Sequence, residues 1–343
     1  MKMKRILSIT ALGAIAAMSF PAAAQDVTLR MHHFSPPKAP QHARFMAPWA
    51  QKVEKESGGR IKIQIFPTMQ LGGTPPQLAD QVKDGVVDIV WTLAGYTADR
   101  FPRTEVFETP FLHTNALASA LALQDYYDKY LTEEYKDYHV LLLYTHDGAL
   151  ISASKPIQSL ADLKGLKIRT ANRAGGVFLR GVGATPVGSP VTEIQTMLNK
   201  GVIDGVLLPY EIMPAFKIHE LVHNHITLAG PQPRVGTSVF AFLMNKKRYD
   251  SLPPDLKKVI DNNSRRNIAQ WAGQTWREVE EPGMNAAKAL GNKFMTIPDA
   301  EVAKIRTAVK PEIDKFLAEL SRPGFDAAKA YADAQAMVAK YSK

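Results

Sequence analysis

Arg169 closes a short apolar strand. The chain reads Asp162-Leu163-Lys164-Gly165-Leu166-Lys167-Ile168-Arg169-Thr170-Ala171-Asn172, a glycine turn followed by a strand over 166–169. Gly175 and Gly176 are expected to break the chain soon after, with a short helix to follow. A guanidinium at the tip of a buried strand presents a planar fork of donors. That fork grips a carboxylate through two parallel hydrogen bonds. Downstream, Glu193 to Lys200 reads as a helix, Gly201 as its stop and 203–208 as another strand. Together the two stretches predict a cleft that binds a small organic anion. Three polar residues are candidates to assist. Asn172 either shapes the turn after the strand or reaches the ligand. His32-His33 follows the first predicted strand, where side chains alternate between faces, so only one of the pair can face the cleft; His33 is the candidate. Tyr210 follows the strand that ends at Leu208.

A second constellation points to different chemistry. His219-Glu220-Leu221-Val222-His223 matches the H-E-x-x-H pattern, in which two histidines one helical turn apart bind zinc and the glutamate acts as general base. The surroundings oppose a peptidase. Pro214 and the strand-like 226–228 leave barely two turns of helix, and no glutamate lies between Glu220 and Glu278 to supply a third ligand. The plainer reading is a short connector helix before a strand. No cysteine is present to act as nucleophile, and Gly181-Val182-Gly183 lacks the rest of a dinucleotide fingerprint. No metal and no cofactor is expected, and the chain is read as a binder and not an enzyme.

The elements that must position these residues alternate between strand and helix. Strands are expected at 27–32, 61–66, 86–91, 140–144, 203–208, 226–228 and 238–244, with helical periodicity at 39–56, 75–83 and 115–130. That rhythm is the signature of an α/β fold. The strand at 238–244 is placed to return the chain to the first unit. From Leu256 to about Leu290 the periodicity is helical, with Pro282-Gly283 as the expected kink or break. Two more helices follow, over 300–320, where Pro311 is expected to kink or divide the run, and over 327–341.

The ends and the composition set the compartment. Lys2, Lys4 and Arg5 precede an apolar run, Ile6 to Phe20, and the small residues Ala22-Ala23-Ala24, the three parts of a cleavable export signal. The expected product starts at Gln25 and is about 319 residues long, enough for two domains. The formal net charge is +9; removing Lys2, Lys4 and Arg5 leaves +6, spread without a dense run. An exported protein of that kind is a poor candidate for nucleic acid, while a mild positive field favours small anions. With no cysteines, the fold relies on its apolar core.

The ordered set of Gly58-Gly59-Arg60-Ile61, Gln70-Leu71-Gly72-Gly73, Asp84-Gly85-Val86-Val87-Asp88, Pro110-Phe111-Leu112, the stretch 162–169 and Gly201-Val202-Ile203-Asp204-Gly205 resembles the solute-binding proteins of TRAP transporters, the DctP type. The resemblance spans nearly the whole chain after the leader. It implies a two-lobed periplasmic binding protein fold with crossing strands and a long interdomain helix. Residues 25–146 with about 238–272 would form the first lobe, 147–237 with about 275–320 the second, and about 321–343 a C-terminal helix. It also implies a periplasmic receptor that closes on an organic acid, pairs its carboxylate with Arg169, and delivers it to membrane subunits.

Departures from the family pattern suggest the kind of acid. Ala149 stands where many relatives carry a second arginine, and Leu207 and Leu208 stand where many have Glu-Asn. Leu93 and Tyr96, next to Trp91, occupy places where sialic-acid binders put charged contacts. Polar contacts are thus exchanged for apolar and aromatic ones. The expected ligand bears one carboxylate on an apolar or aromatic body, a hydroxybenzoate being the first example. A four-carbon dicarboxylate or a sugar acid is the alternative, the former requiring Arg234 or another base to reach the cleft.

Overall fold

The computed structural model describes residues 27–97 and 99–342; the expected leader, 1–24, lies outside them. Eleven strands among the described residues form two sheets. They are β1 Val27–His33, β2 Ile61–Phe66, β3 Ile89–Leu93, β4 Tyr138–Thr145, β5 Leu150–Ala153, β6 Lys167–Thr170, β7 Thr185–Gly188, β8 Gly205–Leu208, β9 Asn224–Leu228, β10 Val239–Asn245 and β11 Lys293–Ile297. The first sheet has the order β2-β1-β3-β10-β4 and the second β11-β9-β5-β8-β6-β7. β1, β2 and β3 run parallel, while β10 lies antiparallel between β3 and β4. The central strands β3 and β10 are buried along their whole length, as continuous apolar strands covered on both faces must be.

Two chain segments cross between the sheets. β4 of the first sheet leads through 146–149 into β5 of the second, and β9 of the second leads through 229–238 into β10 of the first. The crossings pair where they meet: Ala149 donates its N–H to Gly236 O at 2.8 Å and accepts from Val235 N–H at 3.0 Å. A third element spans both lobes, the long helix Arg266–Ala289. At Gly273 a Cβ would lie 2.6 Å from Leu117 Cα, and at Gly283 a Cβ would lie 2.3 Å from Tyr210 O. The absence of side chains at two points thus seats one helix against a helix of the first lobe, Ala116–Tyr126, and against the chain leaving β8 in the second.

Several expectations need correction. The helix is not broken at Pro282-Gly283; it runs through Pro282, and Gly283 serves the close approach just described. The break falls earlier, at Asn263–Arg265, where Arg265 takes a φ of 52° after the helix Pro254–Asn262. Pro311 likewise sits within an unbroken helix, Asp299–Leu320. Gly175 and Gly176 do not break the chain but lie inside the helix Arg173–Gly181. There a Cβ on Gly175 would come within 2.1 Å of Thr170 Oγ1, so the glycine answers a packing need. The third strand begins at Ile89 rather than Val86, because Gly85 (φ 77°) turns the chain and the Asp88 carboxylate accepts Arg30 N–H at 2.8 Å.

Candidate functional site

A cleft lies between the two sheets, enclosing about 620 Å³ of empty space with its mouth included. Arg169 lines it at the end of β6, a strand held between β7 and β8 with Arg169 in register with Val187 and Val206. The side chain is 1 % exposed. Its Nε and Nη2 donate to Ser189 O at 2.9 and 2.6 Å, and Nη2 also donates to Tyr96 Oη at 3.3 Å. Nη1 is buried without any partner. Burial lowers the proton affinity of the guanidinium, the Tyr96 hydroxyl opposing, but an arginine remains charged. The fork is therefore oriented by a carbonyl and a hydroxyl while one arm stays open, and no carboxylate of the described residues forms an ion pair with it.

Burial shifts three other groups of the cleft, Glu108, Glu211 and His146, towards their neutral forms. Glu108 is raised to about 8 by desolvation, with the hydrogen bond from Val239 N–H to its Oε1 at 2.8 Å opposing. Glu211 is raised well above the usual carboxylate range by burial and then by the nearby charge of Glu280. His146 is lowered well below its ordinary value by burial, then by His113, Arg234 and Arg169. Burial thus favours the neutral forms of Glu108, Glu211 and His146, and the guanidinium of Arg169 is the charge that the described cleft residues hold firmly.

The walls are apolar. Trp91 packs at a tilt against Phe34 (5.3 Å between centroids) and Phe240 (4.8 Å), and its indole N–H is satisfied by Tyr144 Oη at 2.7 Å. Leu93, Leu207 and Leu208 also line the cleft, the last two at the end of β8. Tyr96 packs on Phe34 at 5.5 Å, and its hydroxyl accepts Val191 N–H at 2.9 Å while receiving Arg169. One tyrosine of the first lobe therefore ties down the arginine of the second. Asn172 lines the cleft as well, but its amide is engaged: Oδ1 caps the helix Arg173–Gly181 through Gly175 N–H at 2.7 Å, and Nδ2 donates to Thr237 O and Ser238 Oγ at 3.2 and 3.1 Å.

Two sequence candidates are elsewhere. His33 is buried against His42, with Nε2 3.0 Å from His42 Nδ1 and Nδ1 accepting Ser35 N–H, and burial followed by the proximity of His42 holds it at about 3. Alternation along β1 did not predict its surroundings, because the chain after the strand folds over both histidines. Tyr210 lies behind the cleft wall, its ring against His225 and Phe294 and beneath the Arg234 guanidinium at 5.1 Å. Arg234 pairs with Glu280 at 2.8 Å and does not line the cleft. His219 and Glu220 sit on a three-residue 3₁₀ turn, Ile218–Glu220, and His223 falls beyond it, so the helical face that a zinc peptidase needs is not formed. Gln41, Glu108, Glu211 and Phe240 line the cleft without having been singled out. The signal available for Glu211 was an acid in an otherwise apolar run, Val206 to Met213.

The family model for DctP, bacterial extracellular solute-binding protein family 7, matches residues 31–320. The fold is similar to that of a marine metagenome TRAP solute-binding protein specific for aromatic acid ligands, solved with 3-hydroxybenzoate: 44 % identity, TM-score 0.91, 93 % of this chain and 100 % of that one. It is also similar to a TRAP solute-binding protein from Rhodoferax ferrireducens solved with copurified benzoate: 41 % identity, TM-score 0.89, 92 % and 98 % covered. A curated relative, the outer membrane transporter protein TsaT of Comamonas testosteroni, is 27 % identical over 334 residues, 96 % of each chain. With two lobes joined by crossing strands, a spanning helix, and a cleft lined by a buried arginine, this chain belongs to the DctP family of solute-binding proteins that serve TRAP transporters.

Proposed function

We propose that this protein captures an aromatic monocarboxylate outside the cytoplasmic membrane and hands it to the membrane subunits of a TRAP transporter. The observation that carries the reading is the open Nη1 arm of Arg169, buried in a cleft lined by no other Lys or Arg and with aromatic and leucine walls. One guanidinium compensates one carboxylate; a second carboxylate would lie buried and unpaired, which is costly. Ala149 and Leu207, at positions where many relatives are expected to carry a second arginine and an acid, line the cleft with small or apolar surface. The benzoate and 3-hydroxybenzoate found with the two similar structures support the same class.

In this reading residues 25–146 with about 238–272 form one lobe, and 147–237 with about 275–320 the other, while about 321–343 is a C-terminal helix docked on the first. The leader is cleaved near Ala24, and the protein acts as a receptor without catalysis. Titration calorimetry with benzoate, 3-hydroxybenzoate, succinate and galactonate tests it. The aromatic acids should bind at micromolar or tighter Kd, and succinate and galactonate at least about a hundredfold more weakly. Preference for succinate or the sugar acid would refute the assignment.

A further inference from the structure

Arg169 is one of several buried polar groups that line the cleft. The partition formed by Tyr96, Thr170, Ala171 and Asn172 is shared between the inner cavity and an outer groove, so Arg169 lies beside the wall that closes the cleft from outside. The crossing connections also line the cleft, at His146, Ala149, Val235 and Gly236. Gln41, Glu108 and Glu211 also line the cavity and are 1, 2 and 3 % exposed. Each has one oxygen with no partner: Gln41 Oε1, Glu108 Oε2 and Glu211 Oε2. Buried oxygens without donors are uncommon and costly, because water is lost and nothing replaces it.

The supports of these residues show that their open oxygens are not held for internal use. Glu211 N–H donates to Glu280 Oε2 at 3.1 Å, and Glu280 pairs with Arg234, so the neighbouring charges are already matched. The Glu108 Oε1 atom takes Val239 N–H, which leaves Oε2. Gln41 lies one turn before Phe45, whose ring packs on Tyr144 at 5.1 Å and edge-on against Trp276 at 5.6 Å, fixing that helix against the aromatic wall.

Building on the reading of an aromatic monoacid, we propose that Glu211 and Gln41, with Glu108, form a polar floor of the cavity that recognises a hydroxyl on the ligand ring while Arg169 holds the carboxylate. A phenolic hydroxyl both donates and accepts. Its hydrogen satisfies a bare oxygen such as Gln41 Oε1, and its oxygen receives the hydrogen of a neutral carboxyl. Burial keeps Glu211 in that neutral form. A second carboxylate here could take the hydrogen of Glu211 but has none to give Gln41 Oε1, and its charge would be buried without a cation, so the floor selects a hydroxylated ring over a diacid.

The test is calorimetry of the intact protein with benzoate and the 2-, 3- and 4-hydroxybenzoates, repeated on Glu211→Leu, Glu211→Gln and Gln41→Leu. One hydroxylated isomer should bind the wild type at least about tenfold more tightly than benzoate, since a site built for a hydroxyl penalises its absence. Glu211→Leu should erase that ratio while leaving benzoate within about threefold. Glu211→Gln, which keeps a donor and an acceptor, should retain most of it. If Glu211→Leu does not fold, the loss of the ratio in Gln41→Leu decides. Equal binding of benzoate and all three isomers by the wild type, or a ratio untouched by both leucine variants, overturns the floor and leaves the arginine reading standing. Failure of every one of these acids to bind overturns both.

Discussion

Arg169 shows how a buried charge is made available. Two of its three nitrogens are held by Ser189 O and Tyr96 Oη, so the fork loses little freedom on binding, and Nη1 has no partner until a ligand arrives. Hydrogen bonds to charged groups contribute about 1.5–3 kcal/mol each. Arg169→Ala should therefore weaken benzoate binding at least roughly tenfold by calorimetry. The melting temperature of the ligand-free protein should change by only a few degrees, because the lost bonds are offset by relief of a desolvated charge. An equal collapse of stability and affinity would mark the residue as structural. Tyr96→Phe removes the hydroxyl that both Arg169 and Val191 use, and a smaller loss, about threefold to tenfold, is expected from the same titration.

In the proposed reading, the elements act on the ligand through closure. The helix Arg173–Gly181 begins with Arg173, which reaches across to the first lobe at Asp99 (3.1 Å) and Glu105 (3.3 Å). Partly exposed ion pairs of this kind contribute about 0.2–1 kcal/mol. Arg173→Ala should accordingly raise the ligand dissociation rate up to about fivefold in stopped-flow traces, with the association rate nearly unchanged; an unaltered dissociation rate would rule out a latch. The long helix makes a separate demand. Gly283 abuts Tyr210 O, so Gly283→Leu overpacks the junction by about 1–3 kcal/mol and should lower the melting temperature by roughly 3–10 °C. A wild-type melting curve would show that the helix tolerates a side chain there.

At the scale of the whole molecule, buried titratable groups shape stability against pH. Burial holds His33 at about 3 and His113, His139 and His225 at about 4, whereas unfolded histidines titrate near 6.5. Between these values the unfolded chain binds more protons, so stability rises with pH up to about 6.5. Burial also raises Glu108 to about 8 and Glu105 to about 7, Arg173 opposing the latter, while unfolded glutamates lose their protons near 4.3. There the folded chain binds more protons, and stability falls as pH rises towards 8. Above pH 6.5 only the carboxyl effect remains. A melting-temperature maximum near pH 6–7 is expected, and Glu108→Gln should flatten the alkaline side. A curve still climbing at pH 8 would contradict this balance.

Much of this molecule was legible from local chemistry. The glycine turn and strand before Arg169, the alternation of β2, the apolar run of β10 and its return to the first sheet are set by neighbours in the chain, and so could be read from it. The exchange of charged for apolar residues at 93, 149, 207 and 208 was legible only through the resemblance to the family pattern. Other features required distant segments to meet. Pro282 sits within a helix whose Gly283 packs on Tyr210, and Gly175 lies inside a helix because Thr170 crowds it. His33 and Tyr210 are turned away from the cleft by partners remote in sequence or supplied by other elements. Burial, with neighbouring carboxylates, shifts Glu211 and Glu108 towards their neutral forms, and burial is a property of the assembled fold. The sequence by itself determined which groups can bind an acid; only the packing of two lobes around one cleft decided which of them face it, and in which charge state.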